Sequence, residues 1–125
     1  MEVRALMASA AAEIVQAWSQ AIGSGNYSAA RSLAHDNLTF RGPIDTFNSA
    51  DDYLAALQKL GAIVKGAEPE GMVVDGNQVA LFYILKTTVA DAPVAEWYTV
   101  NGDKISAIRA YFDARPFAPP GGGAA

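Results

Sequence analysis

The hydrophobic residues of this 125-residue chain change their spacing partway along it, from the period of a helix to that of a strand. From Val3 to Ile22 there is no proline or glycine, and apolar residues recur every three or four positions, which predicts one long amphipathic helix. After residue 62, apolar residues follow strand spacing and glycines mark the turns. Helices first and strands afterwards favour an α+β fold, in which a curved antiparallel β-sheet wraps around the long N-terminal helix.

Shorter elements are predicted between the long helix and the strand region. The "GSG" at 23–25 ends the first helix, and Asn26 has the side chain of an N-cap for a second one. Ser49, followed three positions later by an acid, resembles a capping box and begins a third helix. The predicted elements are the helices Tyr27–Ala34 and Ala50–Leu60 and the short strands 37–41 and 44–47.

The second half of the chain is predicted to be a meander of four antiparallel strands. The "DGN" at 75–77 and the "NG" at 101–102 are typical of tight hairpin turns, and the "ADAP" at 90–93 is typical of a longer turn. The predicted strands are Ala67–Val74, Gln78–Thr88, Val94–Val100 and Lys104–Asp113.

Length and composition predict one domain and exclude several classes of function. We expect a single domain over residues 1–117, followed by a flexible Pro/Gly tail over residues 118–125. A formal net charge of −4 argues against nucleic-acid binding, and no apolar run is long enough to span a membrane. The acidic N-terminal stretch does not resemble a signal peptide, so we expect a cytoplasmic protein.

Cysteine is absent and His35 is the one histidine, which excludes a thiolate nucleophile and a Cys- or His-rich metal site. The acid pair Asp51 and Asp52 is expected at a helix N-terminus rather than on a metal. We therefore expect no metal and no cofactor. The classes of function that remain are acid–base catalysis and ligand binding without catalysis.

Two stretches resemble a known family over about residues 8 to 117. The "LAHDNLTFRGP" after the second helix and the "EWYTVNGDKISAIRAYFDARPF" near the end are similar to the SnoaL-like branch of the NTF2-like superfamily. This resemblance implies a cone-shaped fold with a pocket. Relatives include ketosteroid isomerase, limonene-epoxide hydrolase, polyketide cyclases and non-enzymatic modules. It therefore implies a cofactor-independent isomerase, hydrolase or cyclase for a small hydrophobic substrate, or else a binding or dimerisation module.

The resemblance also points to particular residues. Glu96 in "PVAEWYTV" matches the neutral acid of the isomerases, and Asp113 in "YFD" matches an aspartate of the epoxide hydrolases. Trp18 stands where the isomerases have a substrate-binding tyrosine. We predict that Asp113 and Glu96 are catalytic. The ligand-binding residues are predicted to be Trp18, Phe40, Tyr53, Phe82, Tyr98, Arg109 and Tyr111.

Strand alternation adds an expectation about the two acids. It places Asp113 on one face with Ile105, Ala107, Arg109 and Tyr111, and it places Glu96 among apolar residues of the neighbouring strand. If these faces line the pocket, burial raises the pKa values of both carboxyls toward neutrality, which suits proton transfer.

Alternatives to this arrangement stay open. Asp113 could cap a turn or pair with Arg109 or Arg115, and Glu96 could lie on a solvated outer face of the sheet. If Asp113 pointed into water away from any cavity, its catalytic role would be wrong and a binding module without chemistry would be preferred. A pocket filled by Trp18, Phe40, Phe82 and Trp97 would favour the same module.

The strand "VALFYILKT" has apolar residues of both parities. Leu81, Tyr83 and Leu85 share one side, and Phe82 and Ile84 share the other. Because the helices cover only one face, the other face leaves an apolar patch of the kind that usually marks an interface. We therefore expect a homodimer through the convex sheet face, with a small hydrophobic molecule as the other partner.

Overall fold

The computed structural model describes residues 3–117, with side chains from residue 10 onward. The helices are α1 (Val3–Gly23), α2 (Tyr27–Ser32) and α3 (Ala50–Leu60). The strands are β1 (Ala34–Arg41), β2 (Thr46–Phe47), β3 (Val64–Asp75), β4 (Gln78–Thr87), β5 (Asp91–Asn101) and β6 (Lys104–Tyr111), followed by a 3-10 turn, Arg115–Phe117. The predicted α+β class is confirmed. The predicted flexible tail, 118–125, lies outside the described residues.

Helix α1 packs against the sheet along one stripe, as its apolar spacing predicts. Ala11, Val15, Trp18 and Ala21 are buried at steps of three and four residues. Ala17 is exposed although it is apolar, because alanines occur on all sides of this helix and the edge of its apolar face is not sharp. No helix within residues 3–117 has the length and apolar character needed to cross a membrane.

Both predicted N-caps are present. The side chains of Asn26 and Ser49 each accept a hydrogen bond of 3.1 Å from the backbone N–H three residues later. Helix α2 ends at Ser32, two residues before the predicted end. The Leu33 carbonyl instead accepts a 2.8 Å hydrogen bond from the backbone N–H of Ile105, so the chain enters β1 early.

The six strands form one sheet in the order β2-β1-β6-β5-β4-β3. Strands β1 and β6 run parallel, whereas the other neighbours are antiparallel, and β3 to β6 form the predicted meander. Gly76 and Gly102 have φ values of 59° and 71° in the two predicted tight turns. This left-handed region favours glycine, so the "DGN" and "NG" signals are explained.

The connection between β4 and β5 lies at 88–90 rather than at the predicted 90–93. Thr87 Oγ1 accepts hydrogen bonds from the backbone N–H groups of Val89 (3.1 Å) and Ala90 (3.0 Å), which closes the turn early. Strand β5 therefore begins at Asp91, whose carboxylate lies 3.0 Å from the Lys86 ammonium.

Strand β6 contains a bulge at Ser106. The bulge reverses the face of the sheet to which each later side chain points. Ile105 pairs with Val100 of β5, whereas Ala107 pairs with Thr99, so β6 advances two residues for one of β5. Ile105 consequently points to the helices and is fully buried. The prediction that Ile105 shares a face with Ala107, Arg109, Tyr111 and Asp113 is therefore wrong, because one extra residue exchanges the faces.

The hydrophobic core lies between the helices and one side of the sheet, here called the inner face. The largest fully buried side chains are Val15, Leu38, Val79, Tyr98, Ile105 and Ile108. The opposite, outer face carries apolar side chains that remain exposed, namely Val73, Phe82, Trp97 and Tyr111. The sheet thus has apolar residues on both faces, as the alternation in β4 predicts.

Strand β3 forms one edge of the sheet. Its pairing with β4 is interrupted between Val64 and Gly66 and again between Pro69 and Gly71. Most side chains in the middle of β3 are exposed. This edge is irregular, although Met72 and Val74 near its end pack against the core.

Candidate functional site

A carboxyl group lies on the inner face in the middle of β5. Glu96 pairs with Leu81 of β4 on one side and with Ala110 of β6 on the other. The Tyr98 hydroxyl, two residues along the strand, donates a 2.6 Å hydrogen bond to Glu96 Oε1. Tyr98 is 2 % exposed, whereas Glu96 keeps part of its surface accessible. A buried phenol therefore holds the carboxyl of a partly buried glutamate.

Burial and hydrogen bonding act on Glu96 in opposite directions. Burial raises the pKa of Glu96 because water stabilises the charged form most. Interactions with the hydroxyls of Tyr98 and Tyr83 lower the pKa, but the effect of burial is larger. The net rise moves the pKa of this carboxyl toward neutrality, where such a group can both donate and accept a proton.

Three tyrosines surround Glu96, and the pKa of each phenol is raised. Burial is the main cause for Tyr53, Tyr83 and Tyr98, and the negative charge of Glu96 adds to it. All three phenols are therefore protonated near neutral pH. Helix α3 and strands β4 and β5 each bring a hydroxyl group toward the same carboxyl.

Aromatic rings from three further positions pack around Tyr53. Trp18 of α1 is stacked on it with centroids 6.2 Å apart, and Phe40 of β1 is stacked at 4.3 Å. Phe47 of β2 lies 5.9 Å away and is tilted. Gly42 leaves room for this arrangement, because a Cβ there would lie 2.9 Å from the Phe40 ring. The result is a largely buried stack of aromatic rings on the side of α3.

Asp113 lies outside this cluster, past the end of β6. The Arg115 guanidinium donates to both carboxylate oxygens, at 2.9 Å (Nε to Oδ1) and 2.7 Å (Nη2 to Oδ2), and the Arg115 backbone N–H donates to Oδ1 at 3.0 Å. These bonds lower the pKa of Asp113 to about 2. The prediction that Asp113 reaches an apolar pocket beside Glu96 and Trp18 with a raised pKa is wrong. The alternative of a turn paired with Arg115 is the arrangement in the structure.

Phe82, Arg109 and Tyr111 also lie away from the carboxyl, contrary to the prediction that they line its pocket. The bulge in β6 turns Arg109 and Tyr111 to the outer face, where the Arg109 guanidinium carbon lies 4.7 Å from the centroid of the Trp97 ring. Phe82 is 38 % exposed on the same outer face. The structure therefore gathers Glu96 with Trp18, Phe40, Tyr53 and Tyr98, and separates it from the other predicted site residues.

Tyr83 belongs to the cluster, and sequence reasoning did not select it. It shares a face of β4 with Leu81, which pairs directly with Glu96. The alternation of Leu81, Tyr83 and Leu85 is visible in the sequence. The missing information was the register between β4 and β5, which depends on where the turn after Thr87 closes.

The polar groups that act on the Glu96 carboxyl are the hydroxyls of Tyr98 and Tyr83. Within the part of the chain whose side chains are described, residues 10–117, no three His, Asp or Glu side chains gather closely enough to hold a metal ion. A carboxyl with hydroxyl donors around it can transfer a proton and can orient an oxygen atom of a bound molecule.

A curved six-stranded sheet with helices on one face is the fold of NTF2-like proteins. The model of the SnoaL-like domain matches residues 15–114, and the chain belongs to this family. The predicted resemblance is therefore confirmed. A search of curated proteins found no match to the sequence.

Solved structures share the fold. An NTF2-like protein of unknown function from Cytophaga hutchinsonii has a TM-score of 0.77 and 24% identity, covering 86% of this chain and 93% of that chain. An LEH-like epoxide hydrolase from M. tuberculosis has a TM-score of 0.72 and 17% identity, covering 86% and 85%. A protein with a ketosteroid isomerase-like fold from Catenulispora acidiphila has a TM-score of 0.71 and 17% identity, covering 85% and 89%. At these identities the likeness is one of fold.

Proposed function

We propose that the protein is a cofactor-independent acid–base enzyme of the isomerase, epoxide hydrolase or cyclase type. Its substrate is a small hydrophobic molecule bound beside Glu96. The observation that carries the proposal is the Glu96 carboxyl on the inner face, held by Tyr98 at 2.6 Å and raised in pKa by burial. The fold that it shares with an LEH-like epoxide hydrolase supports the same reading.

Glu96 is the residue to which we assign proton transfer. The protonated carboxyl donates its proton to a substrate oxygen, and the carboxylate accepts a proton from a carbon atom or from water. Tyr98 fixes Oε1 and so sets the direction of the carboxyl group. The stacked rings of Trp18, Phe40 and Tyr53 are buried, and they limit access of water to the interior on the side of α3.

Two carboxyl-to-amide variants test this assignment on a panel of cyclic epoxides and β,γ-unsaturated cyclic ketones. Glu96→Gln removes the proposed acid–base group and keeps its size, so we expect turnover to fall by about two to four orders of magnitude. Asp113→Asn is the matched control, because that carboxylate is paired with Arg115 at the end of β6. It should leave turnover unchanged.

The pH profile gives a second readout. The activity should titrate with a group whose pKa is above that of an ordinary glutamate, since burial raises the pKa of Glu96. An equal loss of turnover in Asp113→Asn, or full activity in Glu96→Gln, would contradict the assignment.

Ligand binding without catalysis is the second candidate function. It is favoured by the separation of the two predicted acids, which leaves Glu96 without a carboxylate partner among the described residues around it. It is also favoured by the packing of Trp18, 2 % exposed, into the interior that a larger pocket would occupy. A panel compound that saturably changes the fluorescence of Trp18, measured in a Trp97→Phe variant, but is never converted would identify this function.

We also propose that the protein forms a homodimer through the outer face of the sheet. Val73, Phe82, Trp97 and Tyr111 are between 38 and 61 % exposed there. Strand pairing aligns Val73 with Ala80 and Ala80 with Trp97, so these side chains form a continuous patch across neighbouring strands. A second copy that covers this patch would remove its apolar surface from water.

Light scattering on a sizing column tests the dimer. The wild-type protein should have twice the 13.1 kDa mass of one chain at micromolar concentration, and Phe82→Glu should have the mass of one chain. Val89→Glu is the matched control, because Val89 is 55 % exposed but lies in the turn after β4. A wild-type mass of 13.1 kDa would contradict the proposal.

A further inference from the structure

Two arginines stand side by side where β1 parts from β6. Arg41 and Arg109 are register partners in this parallel pair. Like charges on directly paired residues destabilise a sheet unless something compensates them. After β1 ends at Arg41, Gly42 and Pro43 turn the chain away from β6. A depression of about 350 Å³ lies at this point. It is lined by Arg41, Gly42, Pro43, Arg109, Ala110 and Tyr111.

The protein supplies no counter-ion for this pair within the side chains of residues 10–117. The ion pairs there involve Arg31, Lys86 and Arg115. Asp113, the acid closest to Arg109 along the chain, is occupied by Arg115. Both guanidinium groups are therefore left with uncompensated positive charge.

Both guanidinium groups are also held in place. Arg109 lies over the Trp97 ring at 4.7 Å, an arrangement that leaves the N–H groups at its edge free for a ligand in its plane. Arg41 Nη1 donates to the carbonyls of Phe40 (2.8 Å) and Phe47 (3.0 Å). These acceptors are neutral, so they fix the Arg41 side chain without cancelling its charge.

We propose that this depression binds a small carboxylate carried on an apolar ring. The Arg109 fork suits the two oxygens of the carboxylate, and Arg41, which is turned toward β2 by its bonds to Phe47 and Asn48, adds positive charge nearby. Tyr111 and Pro43 provide apolar surface for the ring. The volume lies at the lower end of the range for small-molecule sites. Because Glu96 points to the inner face, this site is separate from the proposed catalytic one.

Benzoate is the probe, and NMR titration of the ¹⁵N-labelled protein is the test. The signals to follow are the Arg109 side-chain Nε–H and the Trp97 indole N–H, which donates to Gln78 at 2.6 Å. The buried Trp18 indole serves as internal reference. Benzoate should shift the first two signals saturably at millimolar concentration. Benzyl alcohol, which lacks the charge, and inorganic phosphate, which lacks the ring, should each bind at least about tenfold more weakly.

Variants locate the site. Arg109→Gln should weaken benzoate binding about tenfold or more, and Arg109→Lys should weaken it less because the charge remains. Lys65→Gln, the same loss of charge on the edge strand β3, should bind as the wild type does. Tyr111 also belongs to the proposed dimer patch, so light scattering at the NMR concentration gives the oligomeric state in which benzoate binds.

Three results would overturn the proposal: no saturable shift in the assembled wild-type protein, equal affinity for benzoate and phosphate, or equal loss in Arg109→Gln and Lys65→Gln. The first result would show that the depression does not bind benzoate. The second would show that binding depends on the negative charge alone, and the third that the lost affinity is not specific to Arg109.

Discussion

Replacement of Tyr98 by phenylalanine tests whether the Tyr98 hydroxyl lowers the pKa of Glu96. The change keeps the buried ring and removes the O–H group that donates to Oε1 at 2.6 Å. A hydrogen bond to a charged group contributes about 1.5–3 kcal/mol, and one pKa unit corresponds to about 1.4 kcal/mol. We therefore expect the pKa of Glu96 to rise by roughly one to two units in Tyr98→Phe.

Carbon-13 NMR of the glutamate side-chain carboxyls measures this pKa directly. Tyr83→Phe is the matched control, since it removes a phenol whose effect on the Glu96 pKa is smaller than that of Tyr98. Its rise should be smaller. A pKa of Glu96 in Tyr98→Phe that is equal to or below the wild-type value would refute the reasoning.

The same group links stability to pH. Glu96 has a higher pKa in the folded chain than in the unfolded chain, so the folded state binds the proton more tightly. The free energy of unfolding contributed by Glu96 therefore falls as pH rises from about 4.3, the ordinary glutamate pKa, to the folded pKa, and is constant above it. In Tyr98→Phe this decline should continue to higher pH, as urea unfolding at several pH values would show.

Three further results are expected. Leu38→Ala should lower the free energy of unfolding by about 2–5 kcal/mol in urea, because Leu38 is fully buried; a loss below that range would mean that the core closes around the gap. Ser49→Ala should cost about 0.5–2 kcal/mol in the same assay through loss of the α3 N-cap, whereas Ser49→Asp should retain most of the stability. Asp113→Asn should leave the NMR-measured pKa of Glu96 unchanged, and a shift would show that the two acids interact.

The parts of the fold that depend on local chemistry could be predicted from the sequence. The change of hydrophobic period gave the order of helices and strands. The caps at Asn26 and Ser49 and the turns at Gly76 and Gly102 were identified because short-range hydrogen bonds and glycine conformation determine them. The parallel pairing of β1 with β6 joins segments far apart in the chain, and no local signal specifies it.

The candidate site could be predicted only in part for the same reason. Glu96 and Tyr98 share a face by simple alternation, and β5 is regular around them. Arg109 and Asp113 were misplaced because the bulge at Ser106 adds one residue, which simple alternation cannot detect. Asp113 also pairs with Arg115, a cation two residues away. This exposed pair avoids the cost of burying a charged carboxylate.

The irregular pairing of β3 bears on how the molecule behaves when concentrated. A regular edge strand offers a row of free backbone groups on which another chain can extend the sheet into a fibril. Here the register breaks near Gly66 and again after Pro69, and proline has no N–H to donate. The exposed carboxylates of Glu68 and Glu70 add charge to the same stretch. Growth of fibrils along this edge is thereby disfavoured, while the outer face stays open to a partner.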